Sequence, residues 1–184
     1  MSQSKTYGVY FGHIVGAVAC IIFFSINSSG LTSFVRGSLI AAGIATLLIT
    51  LIAAVHTPKE LREKNQRIAQ NFGSSYRWVM LATIIILLGG FRALNLFNEV
   101  SNVAWIGIVI GIHFIVLSYK WLQGNPNMRN LGIAMTVLGV IGLYIGLTTN
   151  NMNYVACVAG LGCGACLLVS SLVPSVKLLM HKIA

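Results

Sequence analysis

The sequence predicts an all-α polytopic membrane protein: a bundle of six transmembrane helices with both termini in the cytoplasm. Two observations predict this class. Of 184 residues, 57% are hydrophobic and only 8% are charged, whereas a soluble domain carries about 25% charged residues. The apolar residues also form six long runs, each with roughly the 17–25 residues that a helix needs to cross the hydrocarbon core. The runs do not alternate polar and apolar residues, as transmembrane strands do.

The six runs fill most of the chain, and we predict that residues 1–184 form one transmembrane domain. The first run is longer than the apolar part of a signal peptide and no small-x-small cleavage site ends it, so we predict it to be a mature span. Pro174 is expected to end or kink the sixth span. The predicted spans are residues 7–26, 31–55, 78–97, 101–121, 131–147 and 154–173.

Basic residues orient the chain in the membrane. Ten of the 12 Lys and Arg residues lie on the side that holds both termini, and the three short loops on the other side hold none. Because cytoplasmic loops are rich in Lys and Arg, the basic side is predicted to be cytoplasmic. The same rule accounts for the net charge of +9 without a nucleic-acid partner. We therefore expect a multi-pass protein of a bacterial inner (plasma) membrane, with the lipid bilayer as its first partner.

The longest connection, residues 56–77, is basic and amphipathic. Thr57 suits a helix N-cap, Pro58 the first helical position and Glu60 the third. Apolar residues then recur at helical spacing among Lys and Arg. The pattern predicts a short helix on the anionic inner leaflet, which serves topology and anchoring or, alternatively, the docking of a cytoplasmic partner.

Glycines recur at four-residue spacing in three of the spans. Lipid supplies no hydrophobic driving force between helices, so small residues at this spacing let two backbones approach closely. We therefore predict tight helix contacts for spans one, five and six. The sequence leaves open whether the neighbour is another span of this chain or another subunit. The packing glycines are Gly8, Gly12, Gly16, Gly142, Gly146, Gly160 and Gly164.

Two arginines lie inside spans, at equal predicted depth. Arg36 and Arg92 each lie five residues from the outer end of a predicted span, which is roughly 8 Å below the outer interface. A charge near mid-membrane costs about 2.5–3.5 kcal/mol on insertion scales, so it marks a functional candidate. Arg92, Asn95 and Glu99 fall at i, i+3 and i+7, and they share one face if the third helix extends that far.

Two interpretations of these polar residues stay open. In the first, Glu99 pairs with one arginine, asparagines complete the hydrogen bonds and the other arginine reaches the membrane surface. In the second, the residues form a positive pocket open to the outside, because an arginine fork suits a carboxylate or a phosphate. That pocket would bind an anionic small molecule or a lipid headgroup. Its residues are Arg36, Arg92, Asn95, Glu99 and Asn102.

Two histidines lie within predicted spans. His13 is in the inner third of span one, and His113 is near the middle of span four. A transmembrane histidine serves as a proton relay, a metal or haem ligand, or a hydrogen-bonded packing residue. Nothing else in the sequence supports a metal or haem, which leaves a proton relay or a polar core position.

The sequence contains no catalytic motif. The chain has three acidic residues in all, each a Glu, which removes carboxylate-pair chemistry and most divalent-metal sites. It has neither a phosphate-binding glycine loop nor an H-E-x-x-H pair. We therefore predict a protein that is not an enzyme and that carries no cofactor and no metal.

In size, span count and the Gly8/Gly12/Gly16 ridge, the chain is similar to the substrate-binding subunits of energy-coupling-factor vitamin transporters. Those subunits are small six-span proteins with both termini inside, and small residues of their first helix line the coupling surface. The resemblance implies a substrate-binding component of a transporter.

Two functions follow from these observations. The first is a solute-binding or transport component with an outward-facing site for an anionic small molecule or lipid headgroup. The alternative is a non-catalytic membrane interaction protein, such as an immunity protein, a chaperone or an accessory subunit. It would act through glycine-rich helix faces, with a second copy or another membrane protein as its partner.

Overall fold

The computed structural model describes residues 11–59, 63, 73–122 and 124–183. These residues are almost wholly helical and include no strand, which confirms the predicted all-α class. We label six helices in chain order. They are α1 (Phe11–Asn27), α2 (Ser33–Val55), α3 (Gly73–Phe97), α4 (Asn102–Lys120), α5 (Pro126–Thr149) and α6, which begins at Met152 and ends at Ile183. The last of these is composite: it is an α-helix over Met152–Val155, a π-helix over Ala156–Leu161 and again an α-helix over Gly162–Ile183.

Five of these helices, α2 to α6, are long and apolar enough to cross a membrane, which makes the chain a multi-pass membrane protein. The sequence predicted six such spans. The difference lies in α1, which has 17 residues in the described part of the chain. Residues 7–10 of the predicted first span lie outside the described residues.

Polar caps fix where α5 and α6 begin. Asn125 caps α5, its side chain accepting from the backbone N–H of Asn127 at 3.0 Å, and Pro126 occupies the first turn. Asn151 caps α6 in the same way, accepting from the backbone N–H of Asn153 at 3.0 Å. Hydropathy alone placed the start of the fifth span at residue 131, because the capping turn is polar. The prediction was therefore five residues late.

Of the two expected effects of Pro174, an end or a kink, the first does not occur, since α6 continues to Ile183. Proline removes one backbone hydrogen bond from a helix. Packing after the proline holds α6 in place. Leu178 packs against Ala53 of α2, and Ser175 donates a hydrogen bond to Thr50 of α2.

The helices form a series of neighbours. α3 packs mainly on α4, α4 on α5 and α5 on α6, while α6 also packs on α1 and α2, which pack on each other. The main apolar core lies between α1, α5 and α6. Its buried members are Cys20, Phe24, Leu131, Met135, Cys163 and Leu167.

Apart from Arg36 and Arg92, the Lys and Arg residues of the described chain gather at one end of this bundle. Lys59 follows α2, Arg77 lies in the first turns of α3, Lys120 ends α4, Arg129 begins α5 and Lys177 lies in the last turns of α6. This end is the one predicted to be cytoplasmic, and we call the opposite end the outer end. Of the predicted basic connection, residues 60–62 and 64–72 lie outside the described residues, and residues 73–77 belong to α3.

Candidate functional site

The interface between α4 and α5 is made by backbone against backbone. A Cβ added at Gly132 would lie 2.5 Å from the carbonyl oxygen of Gly111 and 2.8 Å from the backbone nitrogen of Ile115. A Cβ at Gly139 would lie 2.7 Å from the backbone nitrogen of Ile108. Sequence reasoning missed this interface. Its signal is present in the fourth span as the G-x-x-x-G pair Gly107 and Gly111, a pattern that favours close approach.

The glycines that the sequence singled out face other helices of the same chain. Added side-chain atoms would meet Ala159 at Gly142, Phe24 at Gly164 and Ser171 at Gly16, each within 2.8 Å. At Gly146 the neighbour is Ser101 and at Gly160 it is Asn27, while exposed Gly12 meets the side chain of Met128 at 3.6 Å. Gly8 lies outside the described residues. Five of these glycines, Gly16, Gly142, Gly146, Gly160 and Gly164, are thus in close contact within the chain.

A polar corner forms at the outer end, where α3 passes into α4. The side-chain nitrogen of Asn102 donates to the side-chain oxygen of Asn95 at 2.6 Å. Asn98 donates to the carbonyl oxygen of Gly146 at 2.9 Å and accepts from the hydroxyl of Ser101 at 3.2 Å. These bonds connect α3, α4 and the end of α5. The corner therefore unites two of the five predicted binding residues by direct contact.

Glu99 lies apart from the helical face that carries Arg92 and Asn95. α3 ends at Phe97, and Glu99 instead opens the 3₁₀ turn Glu99–Ser101 that leads into α4. Its side chain is exposed. Arg92, Asn95 and Glu99 would share one face only if the third helix extended to Glu99. Because α3 ends at Phe97, Glu99 does not lie on that face.

Arg36 and Arg92 lie on helices that do not pack together as neighbours. Arg36 is in the first turn of α2, which packs on α1 and α6, whereas Arg92 is on α3, which packs on α4. Both side chains are exposed. Among the described residues, neither forms an ion pair or hydrogen bond through its side chain. The structure therefore does not bring the two arginines into one pocket.

Arg92 lies on the side of α3 that faces away from α4, the helix on which α3 packs. Side chains of α4 contact α3 at Tyr76, Thr83 and Gly90. Arg92 is two residues after Gly90, which places it about 200° around the helix and thus on the opposite side.

This opposite side of α3 carries a heptad pattern. Its residues are separated alternately by three and four positions, the spacing of the a and d positions of a coiled-coil seam. All six are exposed, with Trp78 70%, Ile85 60% and Leu88 59% accessible. We call this set the α3 outer stripe. It consists of Trp78, Leu81, Ile85, Leu88, Arg92 and Asn95, of which Asn95 lies at the edge of this side and bonds to Asn102 of α4.

His113 joins α4 to α3. Its Nδ1 lies 2.9 Å from the hydroxyl of Thr83, and its ring is 6.3 Å from the ring of Tyr76. Tyr76 in turn makes an edge contact with Trp121, at 5.5 Å between ring centroids. The geometry gives His113 a hydrogen-bonded packing position. It also links α3 to α4 through side chains rather than through backbone.

His13 belongs to a different part of the bundle. It is half-buried on α1, which packs on α2 and α6, whereas His113 is on α4 between α3 and α5. The two histidines therefore do not form one site.

Buried hydroxyl groups lie between α2 and α6. Thr46, Thr50, Ser171 and Ser175 are each at most 2% exposed, and Ser175 donates to Thr50 at 3.2 Å. Ser171 has no hydrogen-bond partner for its hydroxyl and lies against Gly16 of α1. Because small polar residues let helices approach and hydrogen-bond in lipid, this cluster serves as a packing contact. Sequence reasoning missed it, although serine and threonine pairs spaced by four residues are visible in both spans.

Comparisons of the chain with protein-family models, with curated proteins and with solved structures give no match.

Proposed function

We propose that the protein is a non-catalytic membrane interaction protein and that the α3 outer stripe is its binding surface for a partner transmembrane helix. One observation carries this proposal: a heptad pattern of exposed residues on α3 is interrupted by an arginine, and from Trp78 to Arg92 it has no partner helix within the described chain. Five of the seven glycines suggested by the sequence already pack closely within the described chain. The stripe is the alternative surface.

The position of α3 supports the proposal. No residue is buried in the most apolar part of its span, whereas 22% to 39% of the corresponding part of the other four long spans is buried. α3 is held mainly by α4, so its other sides are open. An outlying helix of this kind is free to pack on another helix without any rearrangement of the bundle.

Arg92 distinguishes the stripe from an ordinary lipid-facing surface. Lipid-facing positions favour apolar side chains, and charged residues inside spans are rare because they are costly. Arg92 lies one turn and a half below the end of α3, between Leu88 and Leu96. A partner that supplies a carboxylate or backbone carbonyl would remove that cost, and a polar residue at a core position also fixes the register of two helices.

The shape of the stripe also suits a helix. Transmembrane helices commonly cross at about 20°, with the same a and d packing as soluble coiled coils. Ala82 and Gly89 flank the stripe seven residues apart, and nothing lies within 4 Å of a Cβ added at Gly89. That open space allows the backbone of a second helix to come close.

Site-specific photo-crosslinking in native membranes tests the proposal. We expect a photoreactive amino acid at Leu88 to give one discrete crosslinked protein product. The control position is Val169 on α6, which is similarly exposed (56%, against 59% for Leu88) but outside the stripe. It should give lipid adducts alone. The proposal is wrong if both positions give only lipid adducts.

A second candidate function is the predicted solute-binding or transport component, with a binding site reduced to Arg92, Asn95 and Asn102. The bond between Asn95 and Asn102 places two predicted binding residues together, and Arg92 lies one turn below Asn95 on the same helix. The side-chain oxygen of Asn102 is buried without a hydrogen-bond partner among the described residues, which leaves one acceptor of this corner unsatisfied.

Lipid retention separates this candidate from the first. If the corner binds an anionic headgroup, native mass spectrometry should show phosphatidylglycerol retained by the purified protein and lost from Arg92→Gln. Arg36→Gln is the matched control, because that arginine is also exposed but lies on α2. Equal retention by both variants would remove the candidate.

A further inference from the structure

His113 lies in the contact between α4 and α3, inside the membrane-spanning part of both helices. It is half-buried and lies seven residues before Lys120 at the inner end of α4, which is about 10 Å along the helix. Its Nδ1 is 2.9 Å from the hydroxyl of Thr83, and that hydroxyl is 2.8 Å from the carbonyl oxygen of Val79. At this depth a charge on the ring has to be balanced by the protein itself.

The contact is complete with a neutral imidazole. If Thr83 donates its one proton to the carbonyl oxygen of Val79, Nδ1 of His113 donates to Thr83; if Thr83 donates to Nδ1, the ring proton is on Nε2. Either arrangement needs one proton on the ring. Nε2 forms no hydrogen bond with another described residue. A second proton would therefore leave the ring with a net charge and with an N–H group that has no acceptor among the described residues.

No acidic side chain of the described chain balances that charge. The described acids are Glu63, which precedes α3, and Glu99, at the outer end, and neither forms an ion pair with His113. The rings of Tyr76 and Phe114 lie 6.3 Å and 6.2 Å from the imidazole, between ring centroids. A cation–π contact needs an aromatic face within about 6 Å, so these rings do not compensate a charge either.

The other titratable groups near this contact are neutral or basic. α3 contributes Tyr76, which faces the ring, and Arg77, which is exposed. On α4 itself, Tyr119 and Lys120 are exposed. α5, which packs on the other side of α4, has Arg129 in its first turns and Tyr144 in its outer half, and neither contacts the imidazole. These groups supply no negative charge at neutral or acid pH.

We propose that the contact between α3 and α4 is a proton-sensitive latch, in which protonation of His113 releases α3 from α4. An unbalanced charge in the membrane interior is costly, and water reaches the ring only when the two helices separate. The packed state therefore excludes the second proton, and by linkage the second proton opposes packing. This inference concerns the attachment of α3 to its own bundle and does not depend on which partner α3 binds.

The way in which α3 is held explains why it is the helix that moves. It packs mainly on α4, and no residue in the most apolar part of its span is buried. Its contacts with α4 are made by side chains, such as Tyr76 against Trp121. On its other side, α4 meets α5 through backbone atoms at Gly111 and Gly132. Release of α3 therefore leaves the contact between α4 and α5 intact.

The direction of the pH dependence follows from this linkage. Packing of α3 is strongest above a pH of about 6.5, where a histidine in water loses its second proton. Below that pH the released state takes up one proton that the packed state does not. The ratio of released to packed protein then rises by at most about tenfold for each pH unit.

Distances between spin labels measure the release. The labels are introduced as non-natural amino acids at Leu81 of α3 and Ile133 of α5, which are similarly exposed, at 45% and 46%. In vesicles of phosphatidylcholine, we expect one short distance at about pH 7.5. At about pH 5 a second, longer distance should appear, with a rise of about 10- to 30-fold in the ratio of long to short.

Two substitutions assign the response to His113. Glutamine at this position keeps a side chain that hydrogen-bonds to Thr83 but takes up no proton near neutral pH, so His113→Gln should show the short distance at both pH values. His56→Gln is the matched control, because His56 is exposed at the end of α2. It should respond to acid like the wild type.

Nitrogen-15 NMR of the histidine-labelled wild type provides a test that needs no substitution. The His113 imidazole should become protonated over the same pH range in which the longer distance appears. A single short distance at both pH values overturns the inference, whether the ring is then protonated or neutral. An equal response of His113→Gln and the wild type also overturns it, because another group would then drive the release.

Discussion

Replacing Gly132 by alanine tests whether backbone contact holds α4 and α5 together. The new Cβ would lie 2.5 Å from the carbonyl oxygen of Gly111 and 2.8 Å from the backbone nitrogen of Ile115. Both neighbours are backbone atoms of α4, so no side-chain rotation relieves the overlap. The two helices have to move apart along the whole contact, which also separates Gly139 from α4.

The expected loss follows from two opposing effects. Overpacking a well-packed contact costs about 1–3 kcal/mol, and a backbone neighbour places this site in the upper half of that range. Alanine in place of glycine returns about 1 kcal/mol of helix propensity. The net loss of stability is therefore about 1–2 kcal/mol, or roughly a 5- to 30-fold fall in the ratio of folded to unfolded protein.

Unfolding by denaturing detergent, followed by circular dichroism, measures this loss. Gly37→Ala is the matched control, because the same change is made in α2, where nothing lies within 4 Å of the added Cβ. It should be neutral or slightly stabilising. If Gly132→Ala unfolds at the same detergent fraction as Gly37→Ala, α4 and α5 are not held by backbone contact.

Three further substitutions probe other contacts by the same unfolding measurement. Thr83→Val removes the hydrogen bond to His113 and should cost about 0.6 kcal/mol, the average for a bond between transmembrane helices; an unchanged midpoint would mean that the bond does not hold α3. Gly160→Ala places a Cβ against Asn27; overpacking of about 1–3 kcal/mol less about 1 kcal/mol of helix propensity gives a net loss of about 0–2 kcal/mol, and a stabilised variant would contradict that contact. Ser175→Ala removes the bond to Thr50 and should cost at most about 1.7 kcal/mol, whereas a larger loss would indicate a role beyond packing.

The positions of the spans could be predicted because transfer into lipid is a property of each segment alone. A run such as 31–55 is apolar whichever helices surround it, and α2 does occupy Ser33–Val55. Helix ends depend on other physics. Asn125 and Asn151 begin helices through their own hydrogen bonds, which a hydropathy pattern does not weigh. The helix continues past Pro174 for a related reason, since tertiary packing on α2 outweighs one lost backbone bond.

The candidate site shows a different limit. Sequence spacing gives the depth of Arg36 and Arg92 in the membrane, because each residue advances a helix by a fixed rise. It does not give which helices are neighbours, and that depends on contacts such as Gly132 against Gly111. Equal depth therefore suggested a shared pocket, whereas α2 and α3 pack on different parts of the bundle.

The contrast between the two sides of α4 supports the proposal that α3 is the helix that binds a partner. Toward α5, α4 presents glycines, and the contact is backbone on backbone, which tolerates little displacement. Toward α3, it presents the larger side chains of His113 and Trp105, the latter donating to the carbonyl oxygen of Ile86 at 3.3 Å. Side-chain contacts of this kind adjust by rotation. A helix that docks on the outer stripe can therefore shift α3 slightly to seat Arg92 while α4, α5 and α6 keep their packing.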